Sequence, residues 1–271
     1  MSPDISDKGR LLIDTHCHLY WPGLAEHADE VVERALEAGV GTIVVPGIDE
    51  ETSLAAQALA GRFQCVYFAA GMHPSEVGGA GAFQPAEFFA PFAGDPKLVA
   101  VGEIGLDAHH DRSAVERQLP ILHAQLEYAD EHGLPVILHH RDAGRPLLAE
   151  LERFSQLRGV FHCYDGSKKL LNYARDHDFY ISLAGNVTYE SAHNLHSQLE
   201  RIPESKLVVE TDAPWMPPAP MRGKRGSEPA DIVYTLDFIA GRLAKSANML
   251  RITVTRNSRG LFQIPGDSNG A

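Results

Sequence analysis

Short runs rich in Val, Ile and Leu recur along the chain, and a helical pattern follows each of them. The first run is LLIDTHCHL (11–19), followed by LAEHADEVVERALEAG, where Gly39 suits a helix C-cap. GTIVVPG, CVYFAAGMHP, LVAVGEIGLD, PVILHHRD, GVFHCY, FYISLAG and KLVVETDAP continue the series. Helices are predicted near 49–61, 85–92, 113–132, 144–157, 168–176 and 190–200, with two more near 229–244 and 247–261. Continuous apolar strands separated by helices imply a parallel sheet covered on both faces. About eight such repeats in a chain of this length match an α/β (β/α)8 TIM barrel. An open doubly wound sheet is the alternative, but no glycine-rich dinucleotide loop follows the first strand. One catalytic domain over 1–271 is expected, with 1–9 and 266–271 as flexible tails.

Composition narrows the class. Three cysteines (Cys17, Cys65, Cys163) show no framework spacing, so disulfides are not expected. The opening residues MSPDISDKGR lack the apolar region of a signal peptide, and no stretch approaches the ~20 apolar residues of a membrane helix. A cytoplasmic protein without a membrane partner or an obligatory protein partner is expected. The net charge of −12 argues against a broad basic surface for duplex nucleic acid. It does not exclude a nucleic-acid substrate held by a local basic patch or by metal ions.

The strand ends carry the chemistry. His16 and His18 end the first run and, two apart in a strand, share a face with Asp14, while Cys17 faces away. Alone, the pair fits metal ligands or ordinary hydrogen-bonded histidines. Glu103 ends the fourth run, His139 the fifth, His162 the sixth and Asp212 the eighth. The C-terminal strand ends of a barrel are where active sites sit. Four imidazoles and two carboxylates there exceed the needs of one four-coordinate ion. They suit two divalent ions bridged by a shared carboxylate. A helix cap, a turn contact or a satisfied interior histidine explains each residue singly. Five strands would then each need a separate explanation, because buried charged groups are rare unless paired or metal-bound.

The stretches IDTHCHL, GMHP, VAVGEIGLD, LPVILHHRDA, GVFHCY, ISLAGNVTY, LVVETDAPWMPP and NSRGLF, spread over about 11–262, resemble the TatD family of metal-dependent hydrolases, within the amidohydrolase-like superfamily. The resemblance implies a TIM barrel, a two-metal centre and phosphodiester cleavage of DNA. It places one ion on His16, His18 and Asp212 and the other on His139 and His162, with Glu103 bridging. Mixed His/carboxylate donors accept Zn, Mn or other divalent ions, with Mg an option despite the imidazoles. Two departures bear on substrate preference: His140 stands where the family often has a small hydroxyl residue, and MRGKRGSEPA has Gly226 and Ser227 near an expected Asn.

In this reading Asp212 orients the attacking water and takes its proton. Glu210 is either its supporting partner or part of a core ion pair. His73 contacts a phosphate or is simply a satisfied turn histidine. Arg141, Arg222, Lys224 and Arg225, on loops after the fifth and eighth strands, are candidate phosphate clamps. Trp21, Tyr164 and Trp215 either stack unpaired bases or pack the barrel rim. Asp107, followed by His109, His110 and Asp111, either adds a second polar cluster or, the reading preferred, is a run of solvated loop residues. The expected activity is that of a deoxyribonuclease, with single-stranded DNA as substrate and a 3′-to-5′ exonuclease among the options. The alternative is an amidohydrolase or ester deacylase, acting on a small molecule or aminoacyl-tRNA from the same two-metal centre. A non-enzymatic binding protein on a retained barrel is the third reading.

Overall fold

Each apolar run becomes a strand with most of its residues buried, the last three of the fifth strand (His139–Arg141) being the main exception. The strands are β1 (Leu12–Asp14), β2 (Val40–Pro46), β3 (Val66–Ala70), β4 (Leu98–Asp107), β5 (Val136–Arg141), β6 (Gly159–Phe161), β7 (Phe179–Leu183) and β8 (Leu207–Val209). They form one parallel sheet in chain order, a (β/α)8 TIM barrel. The helices are α1 (Ala28–Glu37), α2 (Glu50–Arg62), α3 (Pro85–Phe89), α4 (Ala114–His132), α5 (Gly144–Leu151), α6 (Lys168–Asp176), α7 (His193–Leu199), α8 (Ile232–Arg242) and α9 (Ala247–Phe262). The computed structural model describes residues 11–79, 83–109 and 114–265. The expected tails at 1–9 and 266–271, and His110 and Asp111, lie outside the described residues. Among the described residues, no helix is long and apolar enough to cross a membrane.

Contacts group the chain into two compact units. Of the described residues, the first takes in those up to Val44, Cys163–Gly166 and those from Ile181 onward. Here the end of β1 lies beside the end of β8: Thr15 N donates to Val209 O, and Cys17 bridges to Ala213 in parallel register. Helix α9 seals the other end of both strands. Its Asn257 amide donates to the carbonyls of Glu204 and Leu207 at 2.7 and 2.8 Å, which satisfies a buried polar side chain. Arg34 on α1 makes a bidentate ion pair with Glu228, its Nε donating to Oε1 and its Nη2 to Oε2.

The second unit comprises Val45–His162 and Ser167–Tyr180. Two of its helices begin on side-chain caps, a capping box of Asp49 and Thr52 on α2 and Ser167 on α6. Strand β4 runs for ten residues and shifts register against β5 between Val101 and Ile104, around Glu103. Such an irregularity re-aims a side chain. Gly105 follows with φ +148°, and a Cβ there would lie 2.0 Å from the His139 carbonyl oxygen. Gly105→Ala is therefore expected to lower stability by about 1–3 kcal/mol or more, read as a lower urea midpoint. An unchanged midpoint would contradict this account of the β4–β5 approach.

The strands are shorter than the sequence suggests. The ladders of β1, β6 and β8 stop at Asp14, Phe161 and Val209, so His16, His18, His162 and Asp212 lie just past the strands. The reason is a sharp turn at two of these ends. Cys163 and Asp212 take φ of +43° and +55°, left-handed conformations that a continuing strand does not allow. Helix α1 also begins later than its pattern implies, after a 3-10 turn at Ala25–His27.

Candidate metal centre

In the first unit, the backbone past β1 keeps a strand-like alternation, so His16 and His18 emerge on one side. Their Nε2 atoms lie 3.0 Å apart, and each is 3.8 Å from Asp212 Oδ1. All three residues are buried. Asp212 N donates to His16 O, and His18 N donates to Ala213 O, which ties the two segments together. Asp14 adds a second brace: its carboxylate accepts from His16 N, Thr211 N and Thr211 Oγ1. Burial pushes the Asp14 carboxyl up to about 8 against those hydrogen bonds, and nearby Glu210 adds to the rise. Glu210 accepts from Cys163 N and Ser182 Oγ, both at 2.6 Å. Its place is thus a brace between neighbouring strand ends.

In the second unit, donors converge on Glu103. Its Oε1 lies 2.8 Å from His162 Nε2, 3.0 Å from His139 Nδ1 and 3.4 Å from His73 Nε2. His73, Glu103 and His139 each offer a ligand atom within 4.8 Å of the others. A carboxylate oxygen has two lone pairs, so at most two of these three nitrogens can donate to it. A divalent cation among imidazole and carboxylate donors resolves that crowding, and this donor set is one that such ions accept. The residues present fit a metal. Burial lowers the pKa of His73 despite the opposing pull of Glu103. Burial works in the same direction on His139, but hydrogen bonds to Asp107 and Glu103 outweigh it and leave His139 above its ordinary value.

The sequence-predicted residues thus fall into two groups: His16, His18 and Asp212 in one unit, and Glu103, His139, His162 and His73 in the other. His73, read as a phosphate contact or a satisfied turn histidine, faces Glu103 and has its ring edge-on to His139. Arg141, Arg222 and Lys224 are exposed. The Arg222 guanidinium lies 4.2 Å over the Tyr189 ring. Arg225 is no free clamp, because two of its nitrogens hold Asp231 at 2.7 and 2.8 Å. Tyr164 is no stacking platform either, being 1% exposed. Trp215 packs edge-on to both His18 and Trp21, with centroids 4.9 and 4.7 Å away.

Two residues escape a reading of the strand ends alone. Tyr20 places its hydroxyl 2.8 Å from His18 Nδ1 and so orients that ring. Asp107 lies 3.2 Å from His139 Nε2. Asp107 sits four residues from Glu103 on the same strand, so strand alternation is its signal; Tyr20 lies in the turn after His18, where alternation gives no signal.

Residues 13–263 match the family model described as TatD related DNase. The chain belongs to the TatD family. It is 33% identical over 260 residues to the uncharacterized metal-dependent hydrolase YabD of Bacillus subtilis, a match covering 94% of this chain and all of that protein. It is also 33% identical to the 3′-5′ ssDNA/RNA exonuclease TatD of Escherichia coli, with 93% of this chain and 99% of that one covered. The crystal structure of YjjV, a TatD homologue from E. coli, superposes with a TM-score of 0.89 at 32% identity. That match covers 95% of this chain and 100% of YjjV. This TatD-family protein is accordingly a metal-dependent hydrolase.

Proposed function

We propose that this TatD-family hydrolase is a deoxyribonuclease that removes nucleotides from the 3′ end of single-stranded DNA, with residues 1–271 as one catalytic domain. The observation that carries the reading is Glu103, whose Oε1 lies within 3.4 Å of three imidazole nitrogens. The ssDNA/RNA exonuclease activity named for the E. coli relative supports the choice of substrate.

In this reading two divalent ions, Zn, Mn or Mg, are held by His16, His18 and Asp212 and by Glu103, His139 and His162. Bound divalent ions supply Lewis acidity toward phosphoryl oxygens and lower the pKa of water. Asp212 orients the attacking water and accepts its proton on a carboxylate oxygen. Tyr20 and Asp14 hold His18 and the His16 and Thr211 backbone in place, so the donors need little rearrangement. Arg141, Arg222 and Lys224 bind backbone phosphates of the strand, Arg222 with its plane supported by Tyr189.

The double variant Arg222→Ala/Lys224→Ala is expected to raise KM for single-stranded DNA. It should also flatten the log–log salt dependence by roughly 1.4, at ~0.7 per lost phosphate contact. An unchanged salt slope would remove both residues from the substrate path. The reading as a whole is tested with a 5′-labelled oligonucleotide and Mg²⁺ or Mn²⁺, beside amide and ester substrates. A ladder shortening from the 3′ end, abolished by chelator and restored by metal, is expected. Ester or amide turnover by metal-loaded protein that leaves DNA intact would overturn it.

A further inference from the structure

We infer that Asp107 is a positioning residue for the metal centre: by holding the Nε2 proton of His139, it turns the Nδ1 lone pair toward Glu103 and His162. The inference rests on the reading of His139 as a ligand. A neutral imidazole carries one N–H and one lone pair, and the partner of one nitrogen decides the role of the other. The two sides of the His139 ring differ in kind. On the Nδ1 side, Glu103 Oε1 lies at 3.0 Å and His162 Nε2 at 3.4 Å, both candidate ligands. On the Nε2 side, Asp107 Oδ2 lies at 3.2 Å. A carboxylate behind a ligating imidazole fixes tautomer and ring plane and makes the ligand more basic.

Asp107 is itself built to stay in place. His109 N donates to its Oδ1 at 2.8 Å, so the two carboxylate oxygens have separate tasks. Its backbone is clamped in both directions by the buried Gln118 of α4. Asp107 N donates to Gln118 Oε1, and Gln118 Nε2 donates to Asp107 O, both at 3.0 Å. The β4–β5 register then sets the distance, pairing Gly105 with His139 and Asp107 with Arg141. Backbone, helix and side chain all fix one oxygen beside one ring nitrogen.

The test uses metal-stripped full-length protein and Zn²⁺ alone. Calorimetry on wild type and His139→Ala identifies the binding event that needs His139. Asp107→Asn is expected to weaken that event about ten- to hundredfold and leave the other unchanged. Long-range ¹H–¹⁵N spectra of the histidines supply a readout that a general loss of stability would not move. In Zn²⁺-loaded wild type, His139 should carry its proton on Nε2; in Asp107→Asn that preference should weaken. If Asp107→Asn fails to fold, the wild-type spectrum still decides: a His139 protonated on Nδ1 overturns the inference. If His139→Ala weakens binding and folded Asp107→Asn does not, the positioning role alone falls. If His139→Ala binds Zn²⁺ as wild type does, the ligand reading falls and the positioning role with it.

Discussion

Asp212→Asn is expected to slow hydrolysis of single-stranded DNA by roughly 10²–10⁴-fold with the fold retained. Asp212 stands at φ +55°, and Asn is among the few residues that accept this conformation readily. The hydrogen bond from the Asp212 backbone to His16 O does not depend on the side chain, so the turn should survive. What the substitution removes is a charge. Asp212 Oδ1 sits 3.8 Å from both His16 Nε2 and His18 Nε2, and an amide there neither accepts a proton from water nor balances a cation. Single-turnover cleavage with a thermal melt beside it checks both halves. A folded variant with wild-type rate would remove Asp212 from the chemistry.

Glu103→Gln is expected to abolish most of the stabilisation that metal confers. A ligand at a hundred times its Kd stabilises the folded state by about 2.7 kcal/mol. Glu103 is 3% exposed, and His139, His162 and His73 all turn a nitrogen toward its Oε1. A neutral amide keeps the volume there but weakens the attraction for a divalent ion. Melts with and without Mn²⁺ measure the effect directly. Wild type should gain several degrees and Glu103→Gln little, with activity lost in parallel. An equal gain in both would show that the metal is held elsewhere.

Much of this centre is legible in the sequence because strand alternation and strand order are local properties. Apolar runs ending in His, Glu or Asp identify which side chains emerge at strand ends without knowledge of any contact. The sharp turns at Cys163 and Asp212 are less visible, since neither residue is a glycine, the residue that most readily takes positive φ. Arg225 illustrates another limit: its pairing with Asp231 is a contact six residues away within one loop, which charge counting cannot separate from a free phosphate clamp. Tyr164 reads as a rim aromatic, yet its burial depends on packing that composition does not encode. Asp107 was readable from its even spacing to Glu103. The HHD cluster after it, however, makes the segment look like a solvated loop, and only the β4–β5 register reveals the contact with His139.

The most direct test of the account is titration of metal-free protein with Mn²⁺ while a 5′-labelled single strand is followed by gel. Cleavage should appear as the ion binds, with products that shorten stepwise from the 3′ end. Folded, metal-saturated protein that leaves the strand intact would contradict it.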